Sequence, residues 1–188
     1  LREMNRILHF DAVTPRLLVQ AGVRWCDIQK FIDPHGLAVQ LMQTYANFTV
    51  GGSLSVNAHG RYIGQGPVVL SVLSMQLVLV SGEAVETSPT QRPELFYAAV
   101  GGYGAIGIIT EVSLRLVVNT RVRQRSCKLR MADYPAWFDA HIRGRPGAVF
   151  HNADLYPPDY TRMRLVSWFE TDEPATTATR LKPLRRLY

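Results

Sequence analysis

The sequence predicts an α+β fold, and three observations support this class. Apolar segments of strand length alternate with segments of helical spacing, and two adjacent strand-like segments are separated only by a tight turn, as in a hairpin. The 188 residues are 47% hydrophobic and 19% charged, which is enough apolar content for a globular core. Hairpins mixed with helices favour α+β over a regularly alternating α/β sheet.

The N-terminal region predicts a β-strand followed by a helix. Residues 16–23, Arg-Leu-Leu-Val-Gln-Ala-Gly-Val, are of strand character. The following segment, Trp25 to Ile32, carries apolar side chains at helical spacing, and Pro34 and Gly36 then end it. The two segments form a predicted βα unit.

A hairpin, a helix and a long strand are predicted next. Leu73 to Val80 predicts a buried strand, Ser81-Gly82-Glu83 a tight turn, and Ala84 to Thr87 the returning strand. Pro93 suits the first turn of a helix that extends to Val100. Residues 106–118 predict a final long strand.

We place a domain boundary near residue 120, because the character of the sequence changes there. Residues 1–118 form one predicted domain, and residues 119–188 begin a second with a helix at 134–142 and a strand at 162–169. The region 171–188 is rich in Thr, Pro and Arg and closes no evident structural unit. We expect a fragment in which the first domain is incomplete at its N-terminus and the second is incomplete as well.

The most informative stretch is glycine-rich, from Thr49 to Gly60, and reads Thr-Val-Gly-Gly-Ser-Leu-Ser-Val-Asn-Ala-His-Gly. Gly51 and Gly52 allow a ligand to approach the main chain, and Ser53 and Ser55 offer hydroxyl groups. Exposed N–H groups at the start of a helical turn would face an anion. The stretch therefore predicts a cradle for a phosphate-bearing cofactor, with a surface turn before a short helix as the alternative.

Positive charge is concentrated in the C-terminal part. Residues 1–114 hold seven Lys and Arg against eight Asp and Glu, whereas residues 115–188 hold fourteen against seven. The basic residues within 121–130 could attract nucleic acid, anionic lipid or a phosphorylated substrate. Their alternation with uncharged residues is also typical of a solvated strand face. Because no nucleic-acid-binding module accompanies the charge, we expect no nucleic-acid partner.

Several other classes of site and location lack support. Cys26 and Cys127 stand far apart, and the five histidines have no ligand spacing, so we expect no metal. Neither G-x-S-x-G nor a Walker-type motif occurs. No apolar run is long enough to span a bilayer, which favours a cytoplasmic location and leaves peripheral membrane contact open.

Gly102, Gly104 and Gly107 formally satisfy the dinucleotide pattern G-x-G-x-x-G. That pattern needs a strand before it and a helix after it, whereas here a helix precedes and a strand follows. We therefore reject a Rossmann unit and expect these glycines to end the helix and to let the strand edge approach a ligand. His59 could hydrogen-bond a cofactor or move a proton, but a positioning role is favoured, so no catalytic residue is named.

Seven short strings in this order resemble the FAD-binding domain of the vanillyl-alcohol oxidase and p-cresol methylhydroxylase type. They are residues 19–25 (VQAGVRW), 33–37 (DPHGL), 49–53 (TVGGS), 57–60 (NAHG), 94–96 (ELF), 101–104 (GGYG) and 107–112 (GIITEV). The Asn-x-His-Gly ending is closest to the sugar-oxidising branch, such as aldonolactone oxidases and decaprenylphosphoryl-ribose oxidase. The resemblance covers about residues 1–118.

The resemblance implies FAD held between two α+β subdomains, with a cap domain over the flavin. It implies hydride transfer from a hydroxyl-bearing carbon of a sugar-like small molecule to the flavin, and then electron transfer to oxygen or another acceptor. The implied cofactor-binding residues are those of the glycine-rich stretch together with two positions further on: Thr49, Val50, Gly51, Gly52, Ser53, Val56, Asn57, His59, Gly60, Gly104 and Ile109. The main chain of Thr49 to Ser53 would hold the diphosphate, and the backbone of Ile109 would meet the adenine end.

The chain also departs from that family's pattern, which keeps alternatives open. A glycine-rich loop that contacts the pyrophosphate, and the last strands of the cap, are absent from these 188 residues. We therefore expect the fragment alone to be inactive and to bind FAD poorly. The alternatives are a flavoprotein acting on a 2-hydroxy acid, a phenol or a UDP-sugar enoyl ether, a non-catalytic anion-binding module, and an inactive remnant.

Overall fold

The computed structural model describes residues 1–176, which form two compact units. The first unit comprises Leu1–Gly60 and Gly66–Asn119. The second comprises Arg61–Gln65 and the residues from Thr120 to the end of the described part. The predicted domains, 1–118 and 119–188, stay a prediction, and residues 177–188 lie outside the described residues.

The first unit is built on an antiparallel sheet of six strands. The strands are β1 (Ile7–Asp11), β2 (Arg16–Gln20), β3 (Leu37–Val39), β4 (Val72–Val78), β5 (Ala84–Thr87) and β6 (Ile108–Val118). Their order is β1-β2-β6-β4-β5, with β3 paired to a further part of β6. The helices are α1 (Trp25–Ile32), α2 (Val50–Ser55) and α3 (Pro93–Ala99), and short 3-10 turns occupy Asp33–His35 and Val68–Ser71.

The longest strand, β6, organises this sheet because it pairs with β2, β3 and β4. Its alternating residues Val112, Leu114 and Leu116 are buried in the core. Trp25 and Ile28 of α1 and Phe96 of α3 are fully buried in the same core. Each such side chain contributes about 1.5–3 kcal/mol of hydrophobic stabilisation relative to exposure.

The second unit contains a three-stranded antiparallel sheet and one helix. The strands are β7 (Val122–Arg130), β8 (Ala148–Leu155) and β9 (Arg162–Glu170), in the order β7-β9-β8. A 3-10 turn, Met131–Asp133, leads into helix α4 (Tyr134–His141). The segment Arg61–Gln65 is joined to β8, since the Ile63 N–H donates to Val149 O and the His151 N–H donates to Arg61 O, both at 3.0 Å.

The α+β class predicted from the sequence is confirmed. The helix at Trp25–Ile32 and the strand at Ala84–Thr87 have the predicted bounds, and the other predicted elements agree to within three residues at each end. Strands β1, β3 and β8 were not predicted. Within residues 1–176, no helix is both long and apolar enough to cross a membrane.

One polar network fastens α4 to the sheet of the second unit. The His151 side chain of β8 lies with Nε2 3.1 Å from the Tyr134 hydroxyl and Nδ1 2.8 Å from Ser167 Oγ. Tyr134 and Trp137 stack against the imidazole ring, and Phe138 lies beside it. Burial lowers the pKa of His151 below its ordinary value.

We expect this network to make the stability of the second unit depend on pH. Because the pKa of His151 is lower in the folded chain, the unfolded chain binds the proton more tightly, and acidification below about pH 6.5 favours unfolding. His151→Gln should therefore reduce the fall in melting temperature between about pH 7.5 and about pH 5. Thermal unfolding of both proteins across that range measures this, and equal slopes would contradict it.

Candidate functional site

Helix α2 is formed by the glycine-rich stretch, and Thr49 caps its N-terminus. Thr49 is extended, with φ −80° and ψ 155°, and its Oγ1 accepts a hydrogen bond from the Gly52 N–H at 3.2 Å. This is the usual role of a threonine that precedes a helix. The predicted cradle is thus a short capped helix, and the loop that continues from it is residues 56–60.

The first-turn N–H groups of α2 are already hydrogen-bonded inside the protein. The N–H groups of Val50 and Gly51 donate to the carbonyl oxygens of Val23 and Ala21, at 2.9 and 2.8 Å. Gly52 N–H donates to the cap, and the Ser53 N–H donates to Thr49 O at 3.0 Å. The expectation that exposed N–H groups here face an anion is therefore wrong for residues 50–53, because two of the donors pair with a distant segment and two pair with Thr49.

The serine hydroxyls of the stretch also have internal partners. Ser53 is buried, and its Oγ accepts from Trp25 Nε1 at 2.8 Å and donates to Thr49 O at 2.9 Å. Ser55 Oγ donates to Gly51 O at 2.8 Å. These hydroxyls stabilise the turn and tie it to helix α1, so the expectation that they are offered to a ligand is not met.

The two adjacent glycines have different roles. A Cβ on Gly51 would lie 2.8 Å from Ala21 Cβ and 3.1 Å from Ala21 O, so only glycine allows α2 to approach the end of β2 this closely. A Cβ on Gly52 would meet only Thr49 Oγ1, at 2.9 Å, and Gly52 is exposed. Gly51 is required for packing, whereas Gly52 leaves the main chain open to a ligand.

Two glycine-rich segments that are distant in sequence are hydrogen-bonded to each other. Gly101 N–H donates to Leu54 O at 2.9 Å, and Tyr103 N–H donates to Ser55 O at 3.0 Å. These bonds join the C-terminal end of α2 to the turn that follows α3. The structure thereby brings the predicted residues 49–60 beside the predicted Gly104.

Left-handed backbone conformations cluster where these segments meet. Asn57 has φ 46° on one segment, and Gly101, Tyr103 and Gly104 have φ 75°, 51° and 81° on the other. A Cβ on Gly101 would lie 3.5 Å from Asn57 Cβ, which shows how closely the two turns pack. Asparagine and glycine tolerate this conformation best, and Tyr103 is a strained exception of the kind found at functional sites.

The side-chain amide oxygen of Asn57 accepts no hydrogen bond from the described residues. Its Oδ1 is buried and has no hydrogen-bond partner among the described residues. An unsatisfied buried amide oxygen costs about 1–3 kcal/mol, so its retention calls for an explanation such as a ligand or a water molecule. The hydroxyls and ring N–H of a flavin nucleotide are donors that would satisfy it, and in this respect the site fits the implied cofactor.

The other predicted residues lie at different depths. Val56 is 48% exposed, and His59 is exposed with Nδ1 3.4 Å from Gly60 O. Ile109 is buried in β6 in register with Leu77, so only its main chain could serve a ligand. As candidate cofactor contacts, all the predicted residues stay a prediction.

The glycines of the G-x-G-x-x-G string do not form a nucleotide cradle of their own. Helix α3 precedes them and strand β6 follows, as expected for a chain without a Rossmann unit. A Cβ on Gly102 would lie 2.2 Å from Ala98 O, and one on Gly107 would lie 2.8 Å from Val78 O. Gly102 closes the helix, whereas Gly107 lets β6 approach β4 rather than a ligand.

Sequence reasoning overlooked Gly101 and Tyr103. The sequence feature that could have indicated them is the Gly-Gly-Tyr-Gly string directly after the helix. Nothing in that string shows that its backbone amides pair with the end of helix α2.

Within residues 1–176, no group of three or more His, Cys, Asp or Glu side chains is suited to holding a metal ion.

We expect substitution by alanine to affect stability differently at the adjacent glycines Gly51 and Gly52. Gly51→Ala should lower the free energy of unfolding by about 1–3 kcal/mol, because the new Cβ meets backbone and core atoms. Gly52→Ala should change it by less than about 1 kcal/mol, since only a side-chain oxygen must shift. Urea unfolding of both variants tests this, and an equal loss in both would contradict the assigned roles.

Comparison with known proteins gives a family match over the N-terminal part of the chain. Residues 1–88 match the model of a family described as FAD binding domain. A putative D-arabinono-1,4-lactone oxidase of Neurospora crassa is 34% identical over 117 residues, which are 62% of this chain and 21% of that protein.

Two further relatives have similar names. The L-galactono-1,4-lactone dehydrogenase 2, mitochondrial, of Oryza sativa subsp. japonica is 35% identical over 114 residues, covering 61% of this chain and 20% of that protein. The L-gulonolactone oxidase of Bos taurus is 26% identical over 141 residues, which are 75% of this chain and 32% of that protein. The chain thus spans only about a fifth to a third of the length of these relatives.

Proposed function

We propose that this chain is the flavin-binding part of an FAD-dependent oxidoreductase, because residues 1–88 match the family model described as FAD binding domain. The resemblance drawn from the sequence is confirmed by that match, and FAD is the cofactor of the domain. The observation that carries the proposal is the junction of two glycine-rich segments around Asn57, whose amide oxygen lacks a donor.

The bound flavin would accept a hydride from a substrate carbon and pass electrons to oxygen or another acceptor. The residues of this chain orient the cofactor. Internal hydrogen bonds of residues 50–53 fix α2, and this fixes the start of the loop that carries Val56, Asn57 and His59. Gly52 and Gly104 would admit the cofactor close to the main chain, and Asn57 Oδ1 would accept one of its hydrogen bonds.

The proposed substrate is sugar-like, with the hydride leaving a hydroxyl-bearing carbon. Support comes from the lactone oxidases and the lactone dehydrogenase among the relatives, which are named for D-arabinono-1,4-lactone, L-galactono-1,4-lactone and L-gulonolactone. Since both oxidases and dehydrogenases occur there, either oxygen or another acceptor is compatible with the proposal. A cytoplasmic location remains our proposal, although one of these relatives has a mitochondrial name.

The visible spectrum of the complete parent protein tests the proposal. Bands near about 370 and about 450 nm are expected, and acid precipitation then distinguishes released flavin from covalently attached flavin. Gly52→Val should abolish flavin retention and leave the protein soluble, because the side chain would occupy the open main-chain face of α2.

Ala136→Val is a matched control, since it adds bulk at an exposed position of helix α4 and should leave the bands unchanged. A colourless parent protein that takes up no added FAD would refute the proposed function. Stoichiometric flavin in soluble Gly52→Val would instead remove only this face of α2 from the site.

A further inference from the structure

The second unit has a cluster of positive side chains on one face of its sheet. Arg130 of β7 lies directly opposite Arg162 of β9, and Lys128 lies directly opposite Arg164. Alternate residues of a strand share a face, and so do directly opposed residues of paired strands. The Cβ atoms of the four residues are therefore neighbours, about 5 Å apart across the strands and about 7 Å apart along them.

A cavity of about 370 Å³ opens among three of these side chains. Its lining is Lys128, Leu129, Arg130, Tyr156, Arg162 and Met163. Tyr156 continues the pairing of β8, since its N–H donates to Arg162 O at 3.0 Å. The charged part of the lining is entirely positive, and the size is within the range of small-molecule sites.

The nearest carboxylates leave this charge only partly neutralised. Asp133 accepts two hydrogen bonds from the Arg130 guanidinium, at 2.8 and 3.1 Å, but that arginine side chain is 76% exposed, so the pair contributes little. Asp154 lies opposite Arg164 in the register of β8 and β9. Lys128 and Arg162 form no ion pair within residues 1–176.

One further carboxylate, Asp159, is occupied by the turn that leads into β9. It accepts hydrogen bonds from the backbone and the hydroxyl of Thr161, at 3.2 and 3.0 Å. These hydrogen bonds are the main cause that lowers the pKa of Asp159, and the charge of Arg162 lowers it further. Asp159 is absent from the lining of the cavity, so it does not fill the positive site.

Two like-charged pairs placed directly opposite each other destabilise a sheet unless an anion offsets them. Arginine presents a planar fork that matches phosphate oxygens, and lysine adds a compact positive charge. We propose that this cavity binds a small phosphate-bearing molecule, held by Lys128, Arg130 and Arg162 with Tyr156 beside it. Three cations around one cavity suit the multiple negative charges of a diphosphate or a phosphate monoester.

A nucleic-acid strand fits this surface less well. A strand needs a continuous basic track with stacking platforms. Here Asp133 and Asp154 flank the cations, and the lining contains a single aromatic ring. Three cations and no carboxylate line the cavity, which favours a compact anion.

Calorimetric titration of the complete protein with inorganic pyrophosphate tests the proposal. The protein is first loaded with FAD and then freed of unbound FAD, so that neither its flavin site nor free FAD competes with the cavity for the probe. One saturable site is expected, and Lys128→Met and Arg162→Met should each weaken it at least about tenfold. Arg125→Met is the matched control, because Arg125 lies on the same strand but on the opposite face, beside Phe169, and should leave binding unchanged.

Three outcomes would overturn the inference. The first is the absence of saturable pyrophosphate binding at about 0.1 M salt, and the second is a loss of affinity in Arg125→Met as large as that in the other variants. The third is an RNA oligonucleotide that binds more tightly than pyrophosphate and loses affinity in the same variants, which would assign the surface to nucleic acid. Flavin binding is read from the visible spectrum and pyrophosphate binding from calorimetry, so failure here and failure of the proposed oxidoreductase function are distinguishable.

Discussion

The candidate cofactor site depends on the attachment of helix α2 to the end of strand β2. Val50 and Gly51 donate their N–H groups to the carbonyl oxygens of Val23 and Ala21, and Gly51 has no side chain to prevent this approach. Trp25, buried on α1, adds a hydrogen bond to Ser53. A six-residue helix with two glycines is unstable by itself, so these contacts hold it in place.

From this fixed turn the rest of the site follows. The end of α2 accepts hydrogen bonds from Gly101 and Tyr103, which join the second glycine-rich segment to the first. The left-handed residues of both segments lie at this junction, and the unsatisfied amide oxygen of Asn57 is among them. Flexible glycine-rich chain thereby becomes a rigid surface that is suited to orienting a flavin nucleotide.

The sequence predicted elements with strong local signals and missed those that depend on distant partners. Helix α1 has apolar residues at clear helical spacing. The hairpin of β4 and β5 has a strand-like segment on each side of a glycine-containing turn, so both elements were predictable. Strand β3 has only three residues and is formed by pairing with β6. The availability of the N–H groups of Val50 and Gly51 was misjudged for the same reason, since their acceptors, Val23 O and Ala21 O, lie in the distant segment that follows strand β2.

The flavin dissociation constant of the complete protein carrying Asn57→Gly is the most direct test of the account. Glycine keeps the left-handed backbone and removes the amide, so we predict affinity weaker by at least about tenfold without loss of stability. Asn47→Gly, at an exposed position of the same unit, should bind flavin as the unaltered protein does. Unchanged affinity in Asn57→Gly would contradict the claim that the junction of the two glycine-rich segments holds the cofactor.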